Sequence, residues 1–167
     1  MTDKSWTEIQ ALAVKAATGA GVPTGQALSF GTMLTRHLAD EGSELPLSHA
    51  LSSPDSIVAL ANQVETLIEA ASLSRRLVTA HEAKADRRAL LVSWLNSLPC
   101  QAQIAVTNTQ VSAILSLSQP STQARPDRVA ISDGLFAQLE TLAQRTYVPD
   151  SDASRASGAG AGLMELD

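Results

Sequence analysis

Cysteine is almost absent from this chain. Cys100 is the only one in 167 residues, so no internal disulfide and no cysteine metal cage can form. Aromatic residues make up 3% of the chain: Trp6, Phe30, Trp94, Phe136 and Tyr147. So few rings exclude a row of base-stacking platforms. Charge is also scarce, at 17% of residues against the usual figure of roughly 25%. Basic side chains are outnumbered, 12 to 17, and the net charge is −5, which argues against a nucleic-acid binder with its basic footprint. No stretch of 18 apolar residues is present to span a membrane. Met1-Thr-Asp-Lys-Ser-Trp6 has no apolar signal core, so a soluble cytoplasmic protein is expected.

What is abundant is alanine and leucine, within a hydrophobic share of 44%. Small apolar side chains let backbones approach closely, which favours packed helices and leaves little surface for a wide ligand pocket. Ser5 and Glu8 have capping-box spacing, and Ile9, Leu12, Ala13, Ala16 and Ala17 recur at helical intervals. The first helix is predicted at about 6–19, ended by Gly19, Gly21 and Pro23. Thr24 is placed as the cap of a second helix carrying Leu28, Phe30, Met33, Leu34 and Leu38, with Gly42 its terminator. Pro46 to Leu51 reads as a single turn. Ser53-Pro54-Asp55 starts a helix at about 54–73, with Pro at the first helical position. Residues 74–85 fit a helix or a short strand equally. Asp86 is read as the cap of a helix running to Leu98 and stopped by Pro99.

The period then changes from helical to alternating. Ala102, Ile104 and Val106, then Val111, Ala113, Leu115 and Leu117, predict a β-hairpin turning at Thr107–Gln110. Arg128–Ser132 is expected to add a third strand. Asp133 or Ser132 caps a last helix, with Leu135, Leu139 and Leu142 facing inward. From Ala89 to Ala124 no residue is charged, although sheets commonly guard their edges with Lys, Glu or Pro. Two readings stay open: the helices cover this sheet, or another copy pairs with it. The fold class is α+β, an Ala-rich helical N-terminal half packed with a small antiparallel sheet and a C-terminal helix plus extended arm. Residues 1–149 form one composite domain, and 150–167 the arm.

Few residues offer chemistry. His37, Asp40 and Glu41 share reach on one helix, but no second histidine follows at i+3 or i+4, so they read as a solvated helix end. His81 and Glu82 are adjacent and point apart. Arg75, Arg76, Lys84, Arg87 and Arg88, offset by Glu82 and Asp86, read as a solvated helix face. No nucleophile elbow is present, Cys100 reads as a small buried apolar residue, and no catalytic residue, metal or cofactor is indicated. The C-terminal segment is the exception. Tyr147, Ser154, Arg155, Gly158, Gly160 and Gly162 combine glycines, which let backbone amides turn toward an anion, with a planar guanidinium and a hydroxyl donor. They are candidates to bind a small anion such as a phosphate or carboxylate. A flexible terminus and an arm docked in a groove are the competing readings.

Arg145-Thr-Tyr-Val-Pro149, Ser154-Arg155 and Gly158-Ala-Gly-Ala-Gly162, with Glu8-Ile-Gln-Ala-Leu-Ala-Val-Lys15 near the start, resemble an uncharacterised bacterial family catalogued only as a domain of unknown function. The resemblance implies neither an activity nor catalytic residues. It implies that the C-terminal segment is a specified part of the fold. Three function classes follow: a non-catalytic binding or assembly protein that associates with its own copies or with a partner protein, a small-anion or nucleotide binder using Arg155, and, disfavoured by charge, a nucleic-acid regulator. If the arm is gripped by the domain, deleting the last twenty or so residues lowers the melting temperature or the solubility. A truncated chain that melts and stays in solution like the intact one contradicts this.

Overall fold

The computed structural model describes residues 1–74 and 77–146. Ser5 starts the first helix as its spacing predicts. Its hydroxyl accepts from the Glu8 amide, and α1 runs Trp6–Gly19. Ile9, Ala13, Ala16 and Ala17 on one side of α1 are fully buried. The chain turns through Gly21, which has a left-handed φ of 99°, and enters α2, Thr24–Ala39. Thr24 is not the cap. Pro23 holds that position, no side chain caps the helix, and Thr24 is its first residue.

The segment read as a single turn is longer than expected. α3 spans Glu44–Leu51 and buries Pro46, Leu47, Ala50 and Leu51. α4, Pro54–Ser74, buries Ile57, Leu60, Ala61, Val64, Leu67 and Ala71, the stripe its periodicity predicts. α5 runs Ala85–Asn96. It starts after Lys84, so Asp86 lies inside its first turn and does not cap it. α6, Asp133–Gln144, is capped by Ser132, whose hydroxyl accepts from the Leu135 amide. The Ser132 amide in turn donates to Glu44 at 2.7 Å, fixing the start of α6 to the start of α3.

The five strands among the described residues do not form one sheet; they divide in two. β1, Thr2–Ser5, pairs antiparallel with β5, Arg128–Ile131. β2, Val78–His81, β3, Cys100–Val106, and β4, Gln110–Pro120, form a separate antiparallel sheet in the order β2–β4–β3. The predicted hairpin is therefore present, but Arg128–Ser132 does not join it. Arg36 gives the reason. This buried guanidinium donates to the Ala124 carbonyl at 2.6 Å and to Asp40, holding the chain beyond β4 against α2. From there β5 buries Val129 and Ile131 among the helices and meets the N-terminus, where Trp6 N–H donates to Asp127. The third member of the hairpin's sheet is β2, so Val78–His81 within the undecided segment is a strand.

Glycine sets how closely the helices approach. A Cβ on Gly31 of α2 would sit 2.9 Å from the Gln10 carbonyl and also strike Val14, both on α1. A Cβ on Gly19 would overlap the Leu142 carbonyl of α6. On helix propensity alone, Ala for Gly31 should stabilise by about 1 kcal/mol. Overpacking against backbone costs about 1–3 kcal/mol, so the clash decides the sign. Gly31→Ala and Gly19→Ala are each expected to lower stability in urea or guanidinium unfolding. A gain in either contradicts the close contact.

One partly buried ion pair orients β2 against α5. Glu82 accepts from Arg87 Nε at 2.6 Å and from the Lys84 amide at 3.1 Å, and Arg87 also donates to Ser56 Oγ at 2.9 Å. Burial by itself would raise the Glu82 pKa; the hydrogen bonds and the positive charges of Arg87 and Lys84 outweigh it, and the net shift is downward. A carboxylate depressed on folding contributes stability above its unfolded pKa, and that contribution fades as pH falls through the folded value. Glu82→Gln should therefore be less stable than the wild type at pH 7, and the gap should close under acid below the ordinary glutamate range. Denaturant unfolding at both pH values checks this, and a gap independent of pH contradicts it.

Candidate functional site

The three-stranded sheet has one face covered and one bare. Val78, Ala80, Val111, Ala113 and Leu115 point to one side and are buried against α4 and α5. The register places Ala102, Ile104 and Val106 on that same side. The other side carries Thr79, Gln103, Ala105, Ser112 and Ile114. Its lateral contacts are neutral, such as Thr79 Oγ1 to Ser112 Oγ at 3.0 Å. Ile114 lies open on it, 42% exposed, as does Leu77, before β2, at 59%; on the covered side the strand ends are open too, with Val106 53% and Leu117 43% exposed. A trough of about 320 Å³ runs between the end of α4 at Ala71 and Ser72 and the Ile114–Gln119 stretch of β4. Charge is absent from this hairpin, as the sequence indicates.

The edge of β3 can be assigned atom by atom. Thr107 N–H donates to the Gln110 carbonyl at 2.9 Å, so Thr107 and Gln110 form a hydrogen-bonded pair. Such pairs alternate along an antiparallel ladder. Ala105 and Gln103 therefore direct their backbone groups to β4, and Ala102, Ile104 and Val106 direct theirs outward. The Glu82 N–H to Thr109 bond, at 2.9 Å on the other side of β4, gives the same alternation. Among the described residues, no group bonds to the outward backbone of Ala102, Ile104 or Val106.

The polar clusters serve the fold. His37 is not a solvated helix end but buried, 3% exposed. Its Nε2 donates to the Ser43 carbonyl at 2.8 Å, since a carbonyl can only accept. Its Nδ1 lies 2.8 Å from the Ser93 hydroxyl of α5, which also donates to the Ala89 carbonyl at 3.2 Å. Gly42 lies flat on the ring, where any Cβ would overlap the imidazole. A serine hydroxyl beside a histidine is one component of a nucleophile. Here Ser93 is enclosed within α5, and the pair instead pins α2 to α5. Asp40 pairs with Arg36, not with His37.

Arg36 was not singled out by the sequence, which gives no signal that a helical arginine is buried between Asp40, the Ala124 carbonyl and the Trp6 ring, 5.6 Å away. Arg87 and Arg88 are likewise more than a solvated face. Arg88 donates to the carbonyls of Glu82 and Ala83 at 2.9 and 2.6 Å, closing the β2–α5 loop. Beside Arg87 a cavity of about 590 Å³ holds His49 and Asp86, an exposed pair at 3.1 Å, together with Lys84 and Asp55, so the charges of Lys84 and Arg87 offset those of Asp55 and Asp86. Among the described residues no group of three or more His, Cys, Asp or Glu is placed to hold a metal. Cys100 is buried, and burial raises its thiol pKa, which makes it a poor nucleophile at neutral pH.

The anion-binding candidates Tyr147, Ser154, Arg155, Gly158, Gly160 and Gly162, with the arm they belong to, lie outside the described residues, as do Arg75 and Arg76. Among the described residues no helix is long and apolar enough to cross a membrane. No protein-family model matches this chain, and no curated protein or solved structure matches it either.

Proposed function

We propose that this chain is a non-catalytic binding or assembly protein of the cytoplasm, an accessory that docks on another protein surface through the β2–β4–β3 sheet. The observation that carries the reading is the bare side of that sheet: neutral residues, open leucine and isoleucine side chains, and a strand edge with unused backbone groups. A sheet edge of this kind is a template for another strand, and proteins that leave it alone usually place a charge, a proline or a covering helix there. Nothing charged stands on this hairpin. The chemistry-bearing side chains with hydrogen-bond partners, His37, Ser93, Arg36, Glu82 and Arg87, are engaged in joining helices and loops, which favours binding over catalysis.

Ile114→Lys with Leu77→Lys puts two charges at the bare face at exposed positions. Sedimentation of the tagged chain in an extract of the cells that make it is expected to give a complex larger than the free chain, and the variant, folded by circular dichroism, should sediment free. A wild-type chain that sediments free, or a variant that stays in the same complex, contradicts the reading.

A further inference from the structure

We infer that a second copy of this chain occupies the outer edge of β3, and that two copies join antiparallel about Gln103 into one continuous sheet ordered β2–β4–β3–β3–β4–β2. This rests on the binding reading above and names the partner.

The geometry of the strand carries the inference. β3 runs Cys100–Val106, and Gln103 is its central residue. A two-fold axis at Gln103 therefore pairs the whole strand with itself: Ala102 opposite Ile104 of the second copy, Gln101 opposite Ala105, Cys100 opposite Val106. The outward backbone groups fall at Ala102 and Ile104, which become the hydrogen-bonded pairs of this register. Gln103, whose own backbone bonds to β4, falls at the non-hydrogen-bonded position on the axis, where side chains approach most closely. Its carboxamide both donates and accepts, so two copies can satisfy each other. On the covered side, small Ala102 lies beside larger Ile104, and on the open side Gln101 beside Ala105.

Charge supports a second copy over an unlike partner. An isologous contact sets each patch against itself, so any charge near the axis meets its own sign. The copies carry a net charge of −5 each, yet no charge lies between Ala89 and Ala124. Self-pairing near the axis is favoured by that gap, whereas recognition of an oppositely charged partner would draw on charges this edge lacks. One added strand is a small interface, so association should depend on concentration.

The register dictates the test. A proline at position 102 removes an N–H that points outward and leaves the β3–β4 ladder untouched. Light scattering from about 1 µM to about 1 mM, the span over which a small interface changes occupancy, is expected to take the wild type from the 17.5 kDa chain mass to twice that value. Ala102→Pro should remain at the single mass throughout, with an unchanged circular dichroism spectrum. Gln103→Lys and Gln103→Glu, altering an exposed side chain only, should each associate more weakly than the wild type, and mixing them should restore the doubled mass. A wild type of single mass at every concentration overturns the self-pairing, as does a doubled mass that survives Ala102→Pro or a Lys/Glu mixture no stronger than either alone. The sedimentation of the Ile114/Leu77 variant is read independently, so a monomer that still enters a complex removes the second copy and leaves the binding reading standing.

Discussion

Two backbone contacts set the spacing of the helical layer. α1 lies so close to α2 at Gly31, and to α6 at Gly19, that neither position has room for a methyl group. Close approach of this kind lets alanines such as Ala13, Ala16 and Ala17 fill the interior completely. The larger apolar side chains are then free to pack elsewhere. Phe30 and Trp94 meet edge to face across α2 and α5, with ring centres 6.3 Å apart. α4 and α5 turn their remaining apolar surface to the inner side of the sheet. Nothing further among the described residues covers the outer side.

A bare sheet is the consequence of that distribution. The helices cover one side of the β2–β4–β3 sheet, and β1 and β5 form their own ribbon over α1 and α2. Arg36 enforces the separation by holding Ala124 away from the hairpin. Had the chain continued directly from β4 into a third adjacent strand, one edge would have been closed. The sheet instead keeps an outer edge at β3, built from residues that neither repel nor block another strand.

The sequence made the regular elements legible because their signals are local. The Ser5 cap, the 3.6-residue stripe of α4, the alternation of the hairpin and the Ser132 cap are each written within a few residues, and each stands where expected. What was not legible depends on distant partners. Thr2–Ser5 is polar and short, and is a strand only because Arg128–Ile131 lies alongside it. Val78–His81 is a strand because β4 offers it a ladder. The burial of His37 depends on Ser93, fifty-six positions along the chain, and on the missing side chain of Gly42. The charge gap was plain in the sequence; which strand it left open was not, because that needed the β2–β4–β3 order. The anion site drawn from the C-terminal segment lies outside the described residues.

Amide hydrogen exchange along β3 tests the open edge most directly. Gln103 and Ala105 donate within the sheet, so their amides should exchange slowly at every protein concentration. Ala102 and Ile104 should exchange fast in dilute solution and become protected as the concentration rises. Outward amides that exchange at one rate throughout, whether fast or slow, would contradict the account.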